Sequence, residues 1–375
     1  MSDEAQKPRR DETDRRFMAA AIRLSRRHVG LTATNPAVGT LIVDESAGTP
    51  TIVGRGVTAI GGRPHAETEA LAEAGDRARG ATAYVTLEPC AHHGRTPPCA
   101  EALVAAGISR VVGAASDPDP RVSGRGYALL RAAGIEVVER VLSAEAADQM
   151  AGYLVRSLKK RPEVTLKLAI SADGKIGRMG EGQVAITGAV ARAQVHLMRA
   201  ESDAILIGAA TALADDPELT IRLPGLENRS PVRVVLDPAA RLPVSSKLAS
   251  SAGKVPVWLA SCVATTEQRR IELERAGIRF LAAELYDGRI ALPELLEDMA
   301  AQGVSTVLVE GGAHTASAFL ADGLVDRIAL FHGPASIGPG GIATPIDTDT
   351  IGADFRLVRQ DRFGEDHYAE WTRSL

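Results

Sequence analysis

One short stretch of this chain restricts its local backbone more than any other: His65-Ala66-Glu67, followed by Glu88-Pro89-Cys90 and then Cys99. Residues two apart point to nearly opposite faces of a regular helix. An imidazole and a carboxylate at that spacing converge on one point only if His65 stands at the very start of the helix, and Pro64 with the Gly61-Gly62 turn places it there. Cys90 and Cys99 also adjoin turn chemistry, and Cys99 opens a predicted helix whose N-terminus favours a thiolate. One imidazole and two thiolates are a ligand set for zinc. Three protein ligands leave the fourth tetrahedral position to water, as in catalytic rather than structural sites. Free cysteines are often small buried hydrophobes, but two of the three cysteines here fall in this stretch, each directly behind a proline.

These residues also define a reaction. Zinc lowers the pKa of bound water towards neutrality, and a neighbouring carboxylate can carry protons. On that reading His65, Cys90 and Cys99 are metal ligands. Glu67 is the catalytic acid–base: it takes the water proton, protonates a ring nitrogen, and then protonates departing ammonia. The pattern predicts hydrolytic deamination of a heterocycle. Zinc-dependent nucleobase deaminases carry His-x-Glu followed by Pro-Cys-x-x-Cys; here eight residues, Ala91 to Pro98, separate the cysteines.

At 375 residues the chain is long for one domain and predicts two. A net charge of −4 without an extended Lys/Arg block speaks against nucleic-acid binding, which needs a basic footprint. Aromatic content of 3% speaks against stacking on single strands. A small anionic substrate, needing few cations, is compatible. The polar N-terminus lacks an apolar leader core and no window has the apolar length of a membrane span, so the expectation is a cytoplasmic protein without membrane contact. Three cysteines make no disulfide framework, and Cys262 reads as an inert buried thiol.

Residues 1–13 read as a disordered tail. From Glu12 the pattern predicts the order α-β-β-α-β-α-β-α-β, a layered α/β domain over 14–146. A connecting helix or linker is expected over 147–162, and a second, different domain over 163–375. In that second half, Val307 to Thr315 reads as strand, Gly-Gly turn and helix, an arrangement that lets backbone N–H groups approach a phosphate. It is not the G-x-G-x-x-G fingerprint, and on its own a plain strand-to-helix turn is the better explanation. Gly208 to Thr211, followed by Ala214-Asp215-Asp216-Pro217, is a second loop, equally explained as an Asp-Pro turn.

Thr34-Asn35-Pro36-Ala37-Val38-Gly39, Pro64-His65-Ala66-Glu67 and the run from Thr86 to Cys99 with its Gly94-Arg95-Thr96-Pro97-Pro98 resemble the bifunctional pyrimidine deaminase/reductases of riboflavin biosynthesis. Lys167 to Gly174, Ile205 to Gly208, Ala214 to Thr220 and Val309-Glu310-Gly311-Gly312 resemble the reductase half of the same family. The resemblance spans nearly the whole chain from Asp14. It implies an α/β protein with a cytidine-deaminase-like three-layer N-terminal domain and a dihydrofolate-reductase-like C-terminal domain, using Zn²⁺ and NADPH. The implied substrate is 2,5-diamino-6-ribosylamino-4(3H)-pyrimidinone 5′-phosphate, deaminated and then reduced at its ribosyl group to ribityl.

Residue by residue, the resemblance implies that Asn35 holds the pyrimidine, while His92, Arg95 and Asp117 line the ribose-phosphate side. In the reductase half, Gln183, Arg199, Leu219, Arg222 and Glu310 correspond to substrate contacts. Lys167, Ala169, Ala185, Thr211, Asp215, Gly312, Ala313, His314 and Thr315 correspond to cofactor contacts. The chain departs from the family pattern at Thr58, Asp119, Gln183, Ala185 and Pro238, where His, Asn, Ser, Trp and Ser are usual. Two other readings stand beside this one: a deaminase of another base with an inactive reductase half, and a nucleic-acid-binding module with structural zinc. A homo-oligomer, dimer or tetramer, is expected from the enzyme class.

Overall fold

The computed structural model describes residues 3–93, 97–119, 122–262, 265–346, 351–352 and 354–373. They fall into two compact units, Met1–Lys160 and Arg161–Leu375. Among them no helix is long and apolar enough to cross a membrane.

The first unit runs α1 (Asp3–Ser25), β1 (Gly39–Asp44), β2 (Thr51–Val57), α2 (Ala66–Ala74), β3 (Thr82–Leu87), α3 (Cys99–Ala105), β4 (Arg110–Ala115), α4 (Arg125–Ala132), β5 (Glu136–Val138), α5 (Ser143–Gln149) and α6 (Ala151–Lys159). Its sheet has the order β2-β1-β3-β4-β5, with β1 antiparallel to both neighbours and β3, β4 and β5 parallel. Strands β3 and β4 are buried at every residue, because helices cover both faces: α1 and α5 pack against β3 and β4, while α2 packs on β1 and β2 and touches α3, which in turn meets α4. This is the cytidine-deaminase-like layering. Asp14 clamps α1 to the sheet. Its carboxylate receives both terminal nitrogens of Arg110 at 2.8 and 2.7 Å and the Tyr84 hydroxyl at 2.9 Å. A buried ion pair survives desolvation only when hydrogen bonds satisfy it this fully.

Two expectations are corrected in this unit. Residues 3–13 are helical rather than a tail, and Arg10 reaches Glu136 at 3.0 Å. Once Phe17, Met18, Ala21 and Ile22 nucleate α1 in the core, each residue added upstream gains a hydrogen bond without a new nucleation cost. The expected connecting helix is two helices broken at Met150, and Gly152, Leu154 and Val155 of α6 are buried.

The second unit runs β6 (Glu163–Ile170), β7 (Lys175–Arg178), α7 (Ala189–Glu201), β8 (Ala204–Gly208), α8 (Ala209–Asp215), β9 (Val232–Leu236), α9 (Lys247–Ser250), β10 (Val257–Cys262), α10 (Glu267–Arg275), β11 (Ile278–Ala283), the hairpin strands β12 (Leu285–Tyr286) and β13 (Arg289–Ile290), α11 (Leu292–Ala301), β14 (Thr306–Val309), α12 (Ala313–Ala321), β15 (Arg327–His332), β16 (Gly341–Ala343), β17 (Phe355–Phe363) and β18 (Asp366–Arg373). Nine strands form one sheet in the order β11-β10-β9-β8-β14-β6-β15-β18-β17. From β11 to β15 neighbours are parallel; β18 and β17 close the far edge antiparallel. The chain moves outward from β8 to β11, then returns to lay β14 between β8 and β6. Open parallel sheets bind ligands beyond the carboxyl ends of their strands where the order reverses. Cys262, expected to be buried, is half-exposed at the end of β10.

Candidate active sites

In the first unit His65 is the residue that caps α2, in extended backbone at φ −73° and ψ 158°, so its ring and the Glu67 carboxylate are free to face one region. Cys90 lies just beyond β3, and Cys99 is the first residue of α3. His65 Nδ1 is 3.3 Å from Cys99 Sγ and 3.8 Å from Cys90 Sγ, and the three ligand atoms lie within 4.8 Å of one another. The backbone N–H of Cys99 donates to Cys90 Sγ at 3.3 Å. Two thiols and an imidazole with no intervening group fit a single zinc ion.

Charge in this cluster is unevenly shared. Hydrogen bonding from Cys99, then His65, lowers Cys90 to about 4 against opposing burial. Cys99 is pushed up because it donates to Cys90 and is buried. His65 is raised chiefly by its hydrogen bond to Cys90. Glu67 stands outside the 4.8 Å group and is 4% exposed. Burial first, and the Cys90 charge second, raise it to about 7. A carboxyl group at that value both accepts and gives protons near neutrality.

Three of the expected substrate residues, Asn35, His92 and Asp117, are among the described residues of this unit. Asn35 packs against the Gly61-Gly62 turn, where Gly62 has φ 91° and an added Cβ would fall 2.2 Å from Asn35 Nδ2. Only glycine suits that position. Asp117 is buried and accepts the Asp119 N–H and the Tyr153 hydroxyl, both at 2.9 Å. The Cys90 charge contributes to raising its pKa, after burial. His92 Nδ1 is buried without a hydrogen-bond partner among the described residues. Arg95 lies outside the described residues. Thr58 is buried, and its hydroxyl accepts Val38 N–H at 3.0 Å, so the departure from His is used to fix the strand beside Asn35. Sequence reasoning missed the role of Glu88. Its carboxylate accepts Gly124 N–H at 3.0 Å and Gly126 N–H at 3.1 Å, tying the Cys90 strand end to the start of α4.

In the second unit a cavity of about 1580 Å³ opens at the carboxyl ends of β6, β8 and β14. Single-ligand pockets run to roughly 1,000 Å³, so this one has room for a dinucleotide and a sugar phosphate together. Lys167, Ala169, Gln183, Leu219 and Asp215 line it. So do Thr211 and the turn from Gly312 to Thr315. Thr211 Oγ1 accepts Gly312 N–H at 3.1 Å at the start of α12. A Cβ on Gly311 would fall 2.6 Å from Thr315, and one on Gly208 2.4 Å from its hydroxyl. The glycines therefore let the two strand-to-helix turns close around Thr315, the cradle a phosphate-bearing cofactor requires. Leu219 is buried on the wall at φ 55°, a left-handed conformation uncommon for a bulky residue.

Glu310 organises the floor. Its oxygens receive Arg199 Nε at 2.7 Å and Nη2 at 3.0 Å, with Lys167 Nζ at 3.8 Å. Burial alone would raise Glu310; Arg199 and Lys167 overcome it and hold the carboxyl at about 2. Burial lowers Lys167.

Two expected contacts lie elsewhere. Arg222 is exposed and pairs with Glu218, four residues away in the same loop, at 3.1 Å, off the cavity wall. Ala185 is exposed, whereas Val184 and Ile186 line the cavity. Sequence reasoning also missed Arg241, which lines the wall beside Pro238 and lies 3.5 Å from Asp237. No spacing pattern marks it.

Comparison with known proteins covers both units. The family described as cytidine and deoxycytidylate deaminase zinc-binding region matches residues 11–115, and the RibD C-terminal domain matches 162–368. The chain is 38% identical over 329 residues to riboflavin biosynthesis protein RibD of Aquifex aeolicus, covering 88% of this chain and 89% of that protein. It is 39% identical over 336 residues to RibD of Escherichia coli, covering 87% and 89%. The crystal structure of a diaminohydroxyphosphoribosylaminopyrimidine deaminase/5-amino-6-(5-phosphoribosylamino)uracil reductase from Thermotoga maritima superposes with a TM-score of 0.84 at 30% identity, over 97% of this chain and all of that one.

Proposed function

Because the chain belongs to the RibD family of bifunctional deaminase/reductases of riboflavin biosynthesis, we propose that its two sites divide the family's reactions by unit. The first deaminates 2,5-diamino-6-ribosylamino-4(3H)-pyrimidinone 5′-phosphate. The second reduces the deaminated ribosyl compound to 5-amino-6-(5-phosphoribitylamino)uracil.

His65, Cys90 and Cys99 hold zinc, which supplies the Lewis acidity that makes water a nucleophile near neutral pH. Glu67 moves the protons. It accepts one from the attacking water, returns it to the pyrimidine ring nitrogen, and assists the exocyclic amine as it leaves as ammonia. Asn35 orients the ring, and His92, Arg95 and Asp117 take the ribose-phosphate side. The observation that carries this reading is the convergence of one imidazole and two thiols within 4.8 Å beside a buried, raised carboxyl. Glu67→Gln tests it: zinc content stays near one per chain while ammonia release falls about a hundredfold or more. Full activity in a zinc-loaded variant removes Glu67 from the mechanism.

In the second unit NADPH supplies the hydride, and the protein supplies orientation and charge. Thr211, Asp215 and the Gly312 to Thr315 turn hold the cofactor side; Gln183, Leu219 and the Arg199–Glu310 pair face the substrate. As C1′ is reduced, the bond to the ring oxygen breaks and that oxygen needs a proton. Lys167, lowered by burial, is suited to give it; the Arg199 guanidinium keeps its protons at any working pH.

The same reading makes the enzyme a cytoplasmic homo-oligomer, dimer or tetramer. Support comes from three unbridged cysteines and from the edge strand β17, exposed along most of its length and so open to a second copy.

A further inference from the structure

We propose that α6 is a working part of the deaminase substrate site, with Tyr153 and Arg156 as positioning residues for Asp117 and the Thr34-Asn35 loop. The proposal rests on the reading above that Asp117 and Asn35 contact the substrate.

Three observations carry it. The Tyr153 hydroxyl lies 2.9 Å from Asp117 Oδ1 and 3.2 Å from Oδ2, so one phenol bridges both oxygens of a carboxylate that is 6% exposed. Arg156 Nη2 donates to the Thr34 carbonyl at 2.8 Å, on the peptide that leads into Asn35. Tyr153 and Arg156 are three residues apart on α6, hence on one face of it, while Leu154 and Val155 on the same helix are buried.

The physical consequence is orientational. An ionised carboxylate has about four acceptor sites and can rotate about its last bond. The phenol and the Asp119 N–H together fix its plane, leaving the remaining acceptor sites to point one way. The guanidinium does the same for the peptide before Asn35. That loop is otherwise held by the Thr32 hydroxyl on the Asn35 carbonyl at 2.7 Å and by Asn35 N–H on the Thr32 carbonyl at 3.1 Å. Two walls of the substrate site, far apart in sequence, thus take their direction from a single helical turn. Groups that hold the substrate equally well in the ground and transition states change KM rather than kcat when they are displaced. The segment that reads as a connector between domains is therefore a specificity element of the first one.

The test uses the full-length, zinc-loaded enzyme. Tyr153→Phe removes the donor and keeps the ring. The deaminase KM should rise about tenfold, the equivalent of one lost hydrogen bond to a charged group, with kcat within about twofold and zinc content unchanged. Arg156→Ala should raise KM in the same direction, and Arg156→Lys, which keeps a donor, should recover part of the loss. Asp117→Asn, made alongside, should also raise KM. Because Tyr153 acts through Asp117, the double variant should be no worse than the more severe single one. If Asp117→Asn raises KM while Tyr153→Phe and Arg156→Ala do not, the bracing role is overturned and the site reading stands. If Asp117→Asn leaves KM unchanged, the site reading fails and takes the proposal with it. A fall in zinc content or unfolding temperature in Tyr153→Phe with KM unchanged marks a merely structural tyrosine, and also overturns it.

Discussion

Glu67 and Glu310 are the same side chain, both nearly buried, one in each unit, and they are shifted in opposite directions. Burial raises both. Glu67 has the Cys90 thiolate as its strongest charged neighbour and rises to about 7; Glu310 has Arg199 and Lys167 and falls to about 2. Burial alone therefore does not make a proton carrier; the sign of the nearest charge decides. In the first unit the carboxyl is left movable in charge, as a reaction with three proton transfers needs. In the second it is a fixed anion that holds two cations in place.

The largest effect that tests this division is loss of the metal. Cys90→Ser or Cys99→Ser should remove zinc and lower deamination by about a thousandfold or more, while NADPH oxidation by the second unit stays within about twofold. Stoichiometric zinc in either variant would break the ligand assignment. Next, Glu310→Gln strips the counterion from two buried cations. It should destabilise the second unit by about 3–5 kcal/mol, read as a lower unfolding transition for that unit with deaminase activity unchanged. An unshifted transition would mean that Glu310 is not a fixed charge.

A smaller, graded effect is acid sensitivity. The folded value of Glu310 lies below its ordinary 4.5. Its contribution is therefore fully present above 4.5 and disappears as pH falls from 4.5 towards about 2, since the unfolded chain binds the proton first. Glu310→Gln should flatten that part of the second unit's stability profile in urea titrations at stepped pH; an unaltered slope would separate the ion pair from stability. The smallest effect belongs to Arg222. Exposed and paired with Glu218, it should change the reductase KM by no more than about twofold when made Ala, in contrast to Arg199. A larger rise would show that the Glu218 pair opens to reach substrate.

The zinc cluster was legible because its geometry is local. His65 and Glu67 are read from one helix start, and each cysteine from a proline and a turn. The alternation of strands and helices was legible for the same reason. Glu310 and Arg199 are 111 positions apart, and what joins them is the return of β14 beside β8, which no periodicity announces. Tyr153 and Arg156 sit in an ordinary amphipathic helix, so their partners at Asp117 and Thr34 could not be read from spacing. Arg222 shows the converse: an Arg in the right loop was expected to face the ligand, and it pairs with a glutamate four residues away, off the cavity wall. The N-terminal part of α1 has no apolar face at all; its helicity is inherited from residues already packed.

The position of β14 also sets a schedule for the chain. It lies between β8 and β6 in the sheet, yet it comes some hundred residues after β8 in sequence. Until Thr306 to Val309 are made, the edges of β6 and β8 that will meet it are unpaired. The first sheet, by contrast, lays β3 beside β1, then β4 beside β3 and β5 beside β4, and can be complete before the second begins. Strand pairings of long range are slow to form and leave edges open to aggregation meanwhile. A nascent chain can therefore carry a complete first sheet while the second still lacks the strand that joins β8 to β6.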